Sequence, residues 1–199
     1  MKKIFFITGL MVLFSCGNND KQISNTIESE KISTATEDLS VYKAELDSVA
    51  TISQNTLLKN VGAAIENGGT ENAVGFCNVM AMPLTDSLSS NNGVRISRIT
   101  DRNRNPENDL KTESDKDIFR IFQENKSLID SIITENSHLV YYKRINTAKP
   151  ACIKCHGNPE ADIDAATLAK INLLYPEDKA TGYELNEFRG LWRIEKDKQ

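Results

Sequence analysis

The spacing of apolar residues predicts two consecutive helices in the first half of the chain. Across Val41–Gly68, apolar positions recur at steps of three and four residues, which is the period of an amphipathic helix. The two glycines that close this stretch are expected to end the first helix. Thr70 is a suitable N-cap for a second helix, which continues to the Asn-Asn-Gly sequence before Val94. Pro83 is expected to kink that second helix or to begin a new turn.

The second half of the chain mixes strand and helix patterns. Three segments rich in β-branched and aromatic residues predict strands: Val94–Thr100, His138–Ile145 and Arg189–Glu195. Helical periodicity begins near Ser114, and Leu128–Ile133 is interpreted as its continuation; a short helix is predicted over Asp164–Leu174. This order of elements predicts an α+β fold with a small antiparallel sheet.

Composition narrows the class of protein. The chain has 199 residues, of which 39% are hydrophobic, and a net charge of -4 with a pI near 5.3. This length and apolar content suffice for one hydrophobic core. The mild acidity argues against nucleic acid as a partner, because that role favours a basic face.

The N-terminus has the pattern of an export signal. Two lysines precede the apolar run Ile4–Phe14, which is too short to span a bilayer. The run leads into Leu-Phe-Ser-Cys-Gly, which resembles a bacterial lipobox with Cys16 as the lipid-bearing residue. A simple secretory signal that contains a cysteine is the alternative. We predict a lipoprotein signal peptide over residues 1–15 and a membrane anchor of more than one acyl chain.

A polar segment follows the predicted lipid site. Residues 16–40 are rich in Ser, Thr, Glu, Lys and Asn, with scattered isoleucines. Such a segment buries too little apolar surface to offset chain entropy. It is predicted to be a flexible tether for a domain over residues 41–199.

The sequence Cys152-Ile153-Lys154-Cys155-His156 is the clearest chemical motif in the chain. Two cysteines separated by two residues, with histidine directly after, are what covalent attachment of c-type haem requires. One helical turn brings both sulfurs to one porphyrin, and His156 becomes the proximal iron ligand. A thioredoxin-like redox pair, a disulfide and half of a zinc site are the alternatives. The first lacks the expected βαβ pattern upstream, and the last has only His138 as a further histidine.

One cysteine remains after the lipid and the porphyrin have taken three of the four. Cys77 is either a small buried apolar residue or the second axial ligand of the iron. His138, Met80 and Met82 compete for the ligand role. The haem propionates also need partners, and Arg98, Arg102 and Arg104 are the candidates, with solvated surface arginines as the alternative.

Several of these motifs together resemble a known family, the bacterial PAS-like c-type haem proteins long catalogued as a domain of unknown function. They occur in a fixed order: Phe76-Cys77-Asn78, Arg98, Arg104–Asn108, Cys152–Gly157, Tyr175-Pro176, Ala180–Tyr183 and Arg189-Gly190. The resemblance covers roughly Ala44–Glu195. It implies a PAS-like fold with long N-terminal helices. It also implies His/Cys ligation in some members, with Cys77 at the position of the distal cysteine.

These features lead to an expectation about function. We expect an exported, membrane-anchored bacterial lipoprotein, on the periplasmic side or in the cell envelope, that carries haem c and acts in electron transfer or redox sensing. A gas-sensing module is the alternative; since no kinase segment follows the domain in this sequence, it would signal through a separate partner protein. An enzymatic role is not expected, because a peroxidase needs an open iron site with a distal acid-base group and only His138 is available.

Overall fold

The computed structural model describes the backbone of residues 19–198 and the side chains of residues 39–198. The predicted signal peptide over residues 1–15 and the predicted lipid site at Cys16 lie outside the described residues. The chain divides into two units, residues 1–40 and residues 41–199. In the first unit, residues 19–40 have helical backbone. The flexible tether predicted over residues 16–40 stays a prediction. Across residues 19–198, none of the helices combines the length and apolar character that crossing a bilayer requires.

Helix α1 (Asn19–Asn92) is broken where the two glycines were predicted to end a helix. Gly68 and Gly69 leave helical backbone angles, and Gly69 has a φ of 73°, a conformation that glycine adopts readily. The side-chain Nδ2 of Asn72 donates to the backbone carbonyl of Ala64 at 2.8 Å, which bridges the break. The helix continues through Pro83 with helical backbone angles.

The rest of the second unit is a four-stranded antiparallel sheet with helices around it, which confirms the α+β class. The strands lie in the order β1-β4-β3-β2. Their bounds are β1 (Arg95–Ile99), β2 (Asp130–Glu135), β3 (His138–Asn146) and β4 (Phe188–Asp197). The further helices are a 3-10 turn (Pro106–Asn108), α2 (Glu113–Glu124), α3 (Pro150–His156) and α4 (Ala165–Leu174).

Strand β2 corrects one prediction. The segment Leu128–Ile133 was interpreted as a continuation of a helix, but α2 ends at Glu124 and β2 pairs with β3 in a hairpin. The turn of this hairpin contains Asn136 at a φ of 54°, a left-handed conformation that Asn tolerates. Consecutive β-branched residues in β2 favour the pleated backbone once β3 is beside it.

The two faces of the sheet carry separate apolar clusters, because side chains alternate along each strand. One face packs against α1 through Leu46, Val49, Ala50, Val94, Ile96, Tyr141, Trp192 and Ile194. The other face packs against α2 through Ile99, Phe119, Phe122, Val140, Tyr142 and Leu191. A third cluster joins the part of α1 after the break to α4, and Cys155 packs against its edge.

Candidate haem site

Helix α3 carries both cysteines of the motif and the histidine. Pro150 occupies its first turn, where a missing N–H costs nothing, and Cys152 and Cys155 are both free thiols, three positions apart. Residues at this spacing lie on one face of a helix. The helix ends at His156, and the N–H of its C-cap residue, Gly157, donates to the carbonyl of Ile153 at 2.8 Å. The two thiols are therefore presented together beside His156.

The imidazole of His156 is oriented by a backbone carbonyl. Its Nδ1 lies 2.8 Å from the carbonyl oxygen of Ala180. A carbonyl only accepts, so Nδ1 carries the proton and Nε2 carries the lone pair. Burial lowers the pKa of His156 well below its usual value of 6.5, and the nearby Arg189 and Arg104 lower it further. The ring is therefore neutral at pH 7, which is the form that binds a metal.

The loop that contains Ala180 is fixed to the end of α3 by backbone hydrogen bonds. The N–H of Gly182 donates to the carbonyl of Gly157 at 2.7 Å, and the N–H of Tyr183 donates to that of His156 at 2.8 Å. Gly182 has a φ of 74°, which only glycine adopts without cost. The Tyr183 ring then stands edge-on to the imidazole, with the ring centroids 6.3 Å apart and the planes at 89°.

Arg104 holds this loop through Asp178. Its Nε and Nη2 donate to the two carboxylate oxygens of Asp178 at 3.0 and 3.1 Å, and Nη2 also donates to the carbonyl of Cys155 at 2.7 Å. Asp178 in turn accepts from the N–H of Ala180 at 3.1 Å. A continuous chain of hydrogen bonds therefore runs from α3 through Arg104, Asp178 and Ala180 back to the imidazole.

Arg102 holds the same loop from its other side. Its Nη2 donates to the carbonyl of Thr181, its Nη1 lies 3.5 Å from a Glu187 carboxylate oxygen, and its guanidinium lies 3.8 Å from the Tyr183 ring centroid. Arg102 and Arg104 are thus both engaged by protein groups. Their predicted role with propionates stays a prediction.

Cys77 lies in the same neighbourhood as the motif. It is a free, partly buried thiol, and burial raises its pKa while Arg98 and Arg104 act to lower it. Burial likewise raises the pKa of Cys155 to about 11, with Cys77 among the groups that contribute. Since Arg98 and Arg104 also act on the pKa of His156, the candidate distal thiol and the proximal imidazole share two cationic neighbours.

The competing candidates for a second ligand differ in their surroundings. The Nδ1 of His138 lies 2.8 Å from a carboxylate oxygen of Asp197, where β3 begins and β4 ends. The motif follows the opposite end of β3. Met80 is 38% exposed, and Met82 is partly buried.

Two further arginines each leave a buried nitrogen without a partner. The Nε atoms of Arg98 and Arg189 have no hydrogen-bond partner among the described residues. An unpaired buried polar atom of this kind costs free energy and calls for an explanation. Arg98 was predicted as a site residue. Arg189 was not predicted as a site residue, although it belongs to one of the motifs of the family resemblance. Gly190, which follows it, is a signal in the sequence, because a glycine within a strand pattern suggests a β-bulge.

Comparison with known proteins places this arrangement in a family. A family model described as Tll0287-like matches residues 19–196. The chain belongs to the Tll0287-like family. The crystal structure of the cyanobacterial heme-protein Tll0287 is similar in fold, with a TM-score of 0.57 and 20% sequence identity over 79% of this chain and 93% of that chain. A comparison with curated proteins finds no match.

The side chains at the site suit a c-type haem. Free thiols one turn apart match the two attachment points, and the lone pair on Nε2 of His156 matches an axial iron ligand. The unpaired guanidinium nitrogens of Arg98 and Arg189 match the need of propionates for donors.

Proposed function

We propose that Cys152 and Cys155 attach a haem covalently and that His156 is the proximal ligand of its iron. The observation that carries this proposal is the hydrogen bond from His156 Nδ1 to the carbonyl of Ala180, on the helix that presents both free thiols. It leaves Nε2 as the one ring nitrogen with a lone pair. The membership of the Tll0287-like family, whose namesake is described as a heme-protein, supports the same reading.

The role proposed for the protein is one-electron transfer or redox sensing, without catalysis of a chemical reaction. A bound haem supplies the one-electron chemistry. The contribution of this chain is to fix the imidazole. The carbonyl of Ala180 accepts a hydrogen bond from Nδ1, which makes Nε2 a stronger electron-pair donor to a metal. The hydrogen-bond chain through Arg104 and Asp178 keeps that carbonyl in place. A ligand held rigidly in this way changes little in geometry between two oxidation states.

We further propose Cys77 as the second axial ligand. Its support is the pair of arginines, Arg98 and Arg104, that act on both Cys77 and His156. A bound thiolate is anionic and therefore stabilises ferric over ferrous iron. The metal would keep the sulfur deprotonated although burial alone raises the pKa of Cys77.

The ligand proposal is tested by absorption spectra of Cys77→Ala. We expect the ferric Soret band to shift and the reduction potential to rise, with Met80→Ala on the same helix as the control that keeps the wild-type spectrum. A Cys77→Ala spectrum identical to wild type would exclude Cys77 from the iron.

The proposed setting is the bacterial cell envelope, with a PAS-like domain held at a membrane by lipid on Cys16 and an unidentified redox or signalling protein as partner. The four-stranded antiparallel sheet with helices on both faces supports the PAS-like assignment.

Binding of carbon monoxide to the reduced protein distinguishes electron transfer from gas sensing. If the reduced protein does not bind carbon monoxide but exchanges electrons rapidly with a quinol or a cytochrome, this result supports electron transfer. Rapid uptake would instead favour gas sensing through a separate protein.

A further inference from the structure

Arg98 and Arg189 each bury a side-chain Nε and act on the pKa of His156, and the role proposed for them rests on the proposed covalent haem. We propose that these two arginines, and not Arg102 or Arg104, bind the two propionate carboxylates of the haem.

The local structure of β4 explains why Arg189 faces the site. In the pairing of β3 with β4, Ile145 lies opposite Gly190 and Asn146 lies opposite Phe188, so Arg189 is an extra residue in β4. Such a β-bulge redirects a side chain relative to its strand. Phe188 and Leu191 both pack in the cluster under α2, although they are three positions apart and strict alternation would put them on opposite faces. The extra residue shifts the alternation of β4 by one position, which places both side chains on the same face of the sheet.

The contacts of Arg189 place it beside the proximal histidine. Its Nη1 donates to the hydroxyl of Thr100 at 3.2 Å, and its guanidinium lies 5.1 Å from the Tyr183 ring centroid. Tyr183 is the ring that stands edge-on to His156. The Nε of Arg189 has no hydrogen-bond partner among the described residues.

Arg98 has the same unsatisfied character. It projects from β1 to the α1 face of the sheet, with its guanidinium 5.8 Å from the Trp192 ring centroid, and its buried Nε has no hydrogen-bond partner in the described part of the chain. Burial lowers the pKa of Arg98, and the groups that oppose this are Cys77 and Tyr175, neither of which is a carboxylate. Burial also lowers the pKa of Arg189, with Arg104 and Arg98 adding to the effect and Tyr183 and Asp178 opposing it. The positive charge of Arg98 therefore acts against that of Arg189.

A charge count supports two carboxylates as the missing partners. The neighbouring Arg104 is already neutralised by two hydrogen bonds to Asp178. Arg98 and Arg189 remain as two positive charges in surroundings that burial makes costly for them. The charges of ferric iron, a porphyrin dianion and the Cys77 thiolate sum to zero. The iron, its ring and this ligand therefore do not neutralise the positive charges of the two arginines. Two propionates supply two negative charges.

The two other candidate arginines, Arg102 and Arg104, are already hydrogen-bonded to protein groups. Arg104 donates to the carbonyl of Cys155, which places it at the cysteines, whereas the propionates of a c-type haem lie on the opposite edge of the porphyrin from its thioether bonds. Arg102 is taken up by the loop carbonyl of Thr181 and by Glu187.

The test is the resonance Raman spectrum of the purified holoprotein, in which the propionate bending bands report hydrogen bonding to the carboxylates. Arg98→Gln and Arg189→Gln are each expected to shift a propionate band, and the double variant to shift both. Arg120→Gln, on the exposed side of α2, is the control and should keep the wild-type bands. If a Gln variant does not fold, the corresponding Lys variant keeps the charge but loses the two-donor fork, and a shift is still expected.

Two outcomes would overturn the inference. One is a wild-type position of both bands in folded, haem-loaded Gln or Lys variants of Arg98 and Arg189. The other is a propionate shift in Arg102→Gln with none in these variants. Failure of the proposed function is separate, because wild-type protein would then carry no covalent haem in a pyridine haemochrome assay.

Discussion

Replacement of Gly157 by alanine tests whether the tight end of α3 is needed to present His156. A Cβ added at Gly157 would lie 2.4 Å from Ile153 Cγ2, 2.6 Å from the Ile153 carbonyl oxygen and 2.7 Å from Asp162 Cβ. The φ of −73° at Gly157 suits any residue, so the effect is purely steric. Overpacking of this kind costs about 1–3 kcal/mol. We expect the upper part of that range, because one clash is with the backbone that closes the last turn.

The measurement is the free energy of unfolding from denaturant titration, together with haem bound per polypeptide. Gly157→Ala should be less stable by about 2–3 kcal/mol and should carry less haem, since His156 directly precedes the clash. Gly62→Ala is the matched control, because it lies within helix α1 and, apart from its chain neighbours and the helix's own backbone, no atom of the described residues lies within 4 Å of its added Cβ. Alanine there should stabilise by about 0.5–1 kcal/mol. Wild-type stability and haem content in Gly157→Ala would refute the steric reasoning.

Two further predictions concern charge and pH. Asp164 caps α4, and hydrogen bonds from the backbone N–H and the hydroxyl of Thr167 and from Thr70 hold its pKa at about 2. Asp164→Ala should therefore cost about 0.5–2 kcal/mol at pH 7, and Asp164→Asn much less. The difference in the free energy of unfolding between wild type and Asp164→Ala, measured by denaturant titration, should fall as the pH is lowered from about 4 to about 2. Over this range the native carboxylate gains the proton that the unfolded chain already binds. A difference that stays constant over this range would contradict the linkage. Tyr142 donates to the buried carboxylate of Asp115 at 2.9 Å, so Tyr142→Phe should lose about 1.5–3 kcal/mol. Burial, and then Asp115, raise the pKa of Tyr142, so wild-type protein should lose stability above about pH 10 more steeply than Tyr142→Phe, and parallel pH curves would argue against that cause.

Local signals in the sequence were sufficient for much of the fold. The break at Gly68 and Gly69, the strand His138–Asn146 and the short helix α4 each depend on residues within a few positions of one another. Propensity, capping and period express such short-range physics directly. The Cys-x-x-Cys-His spacing is local in the same sense, since one helical turn sets it.

The features that sequence reasoning missed depend on contacts between distant segments. Strand β2 is a short apolar run that becomes a strand because β3 pairs with it. The side chain of Arg189 turns toward the site because of a bulge, which a strict period of two cannot represent. The chain from Arg104 through Asp178 to Ala180 joins residues 74 positions apart. Arginine at such positions signals a charge to be paired, but only the tertiary structure identifies the partner.

The central claim is that Cys152 and Cys155 hold a haem by covalent bonds, and intact-protein mass spectrometry of acid-denatured material measures this most directly. The account predicts that the mature polypeptide is heavier by one haem, that Cys152→Ser with Cys155→Ser lacks this mass, and that the pigment stays with the wild-type protein in acidified acetone. A wild-type mass without haem, in protein matured in a host competent for c-type attachment, would contradict it.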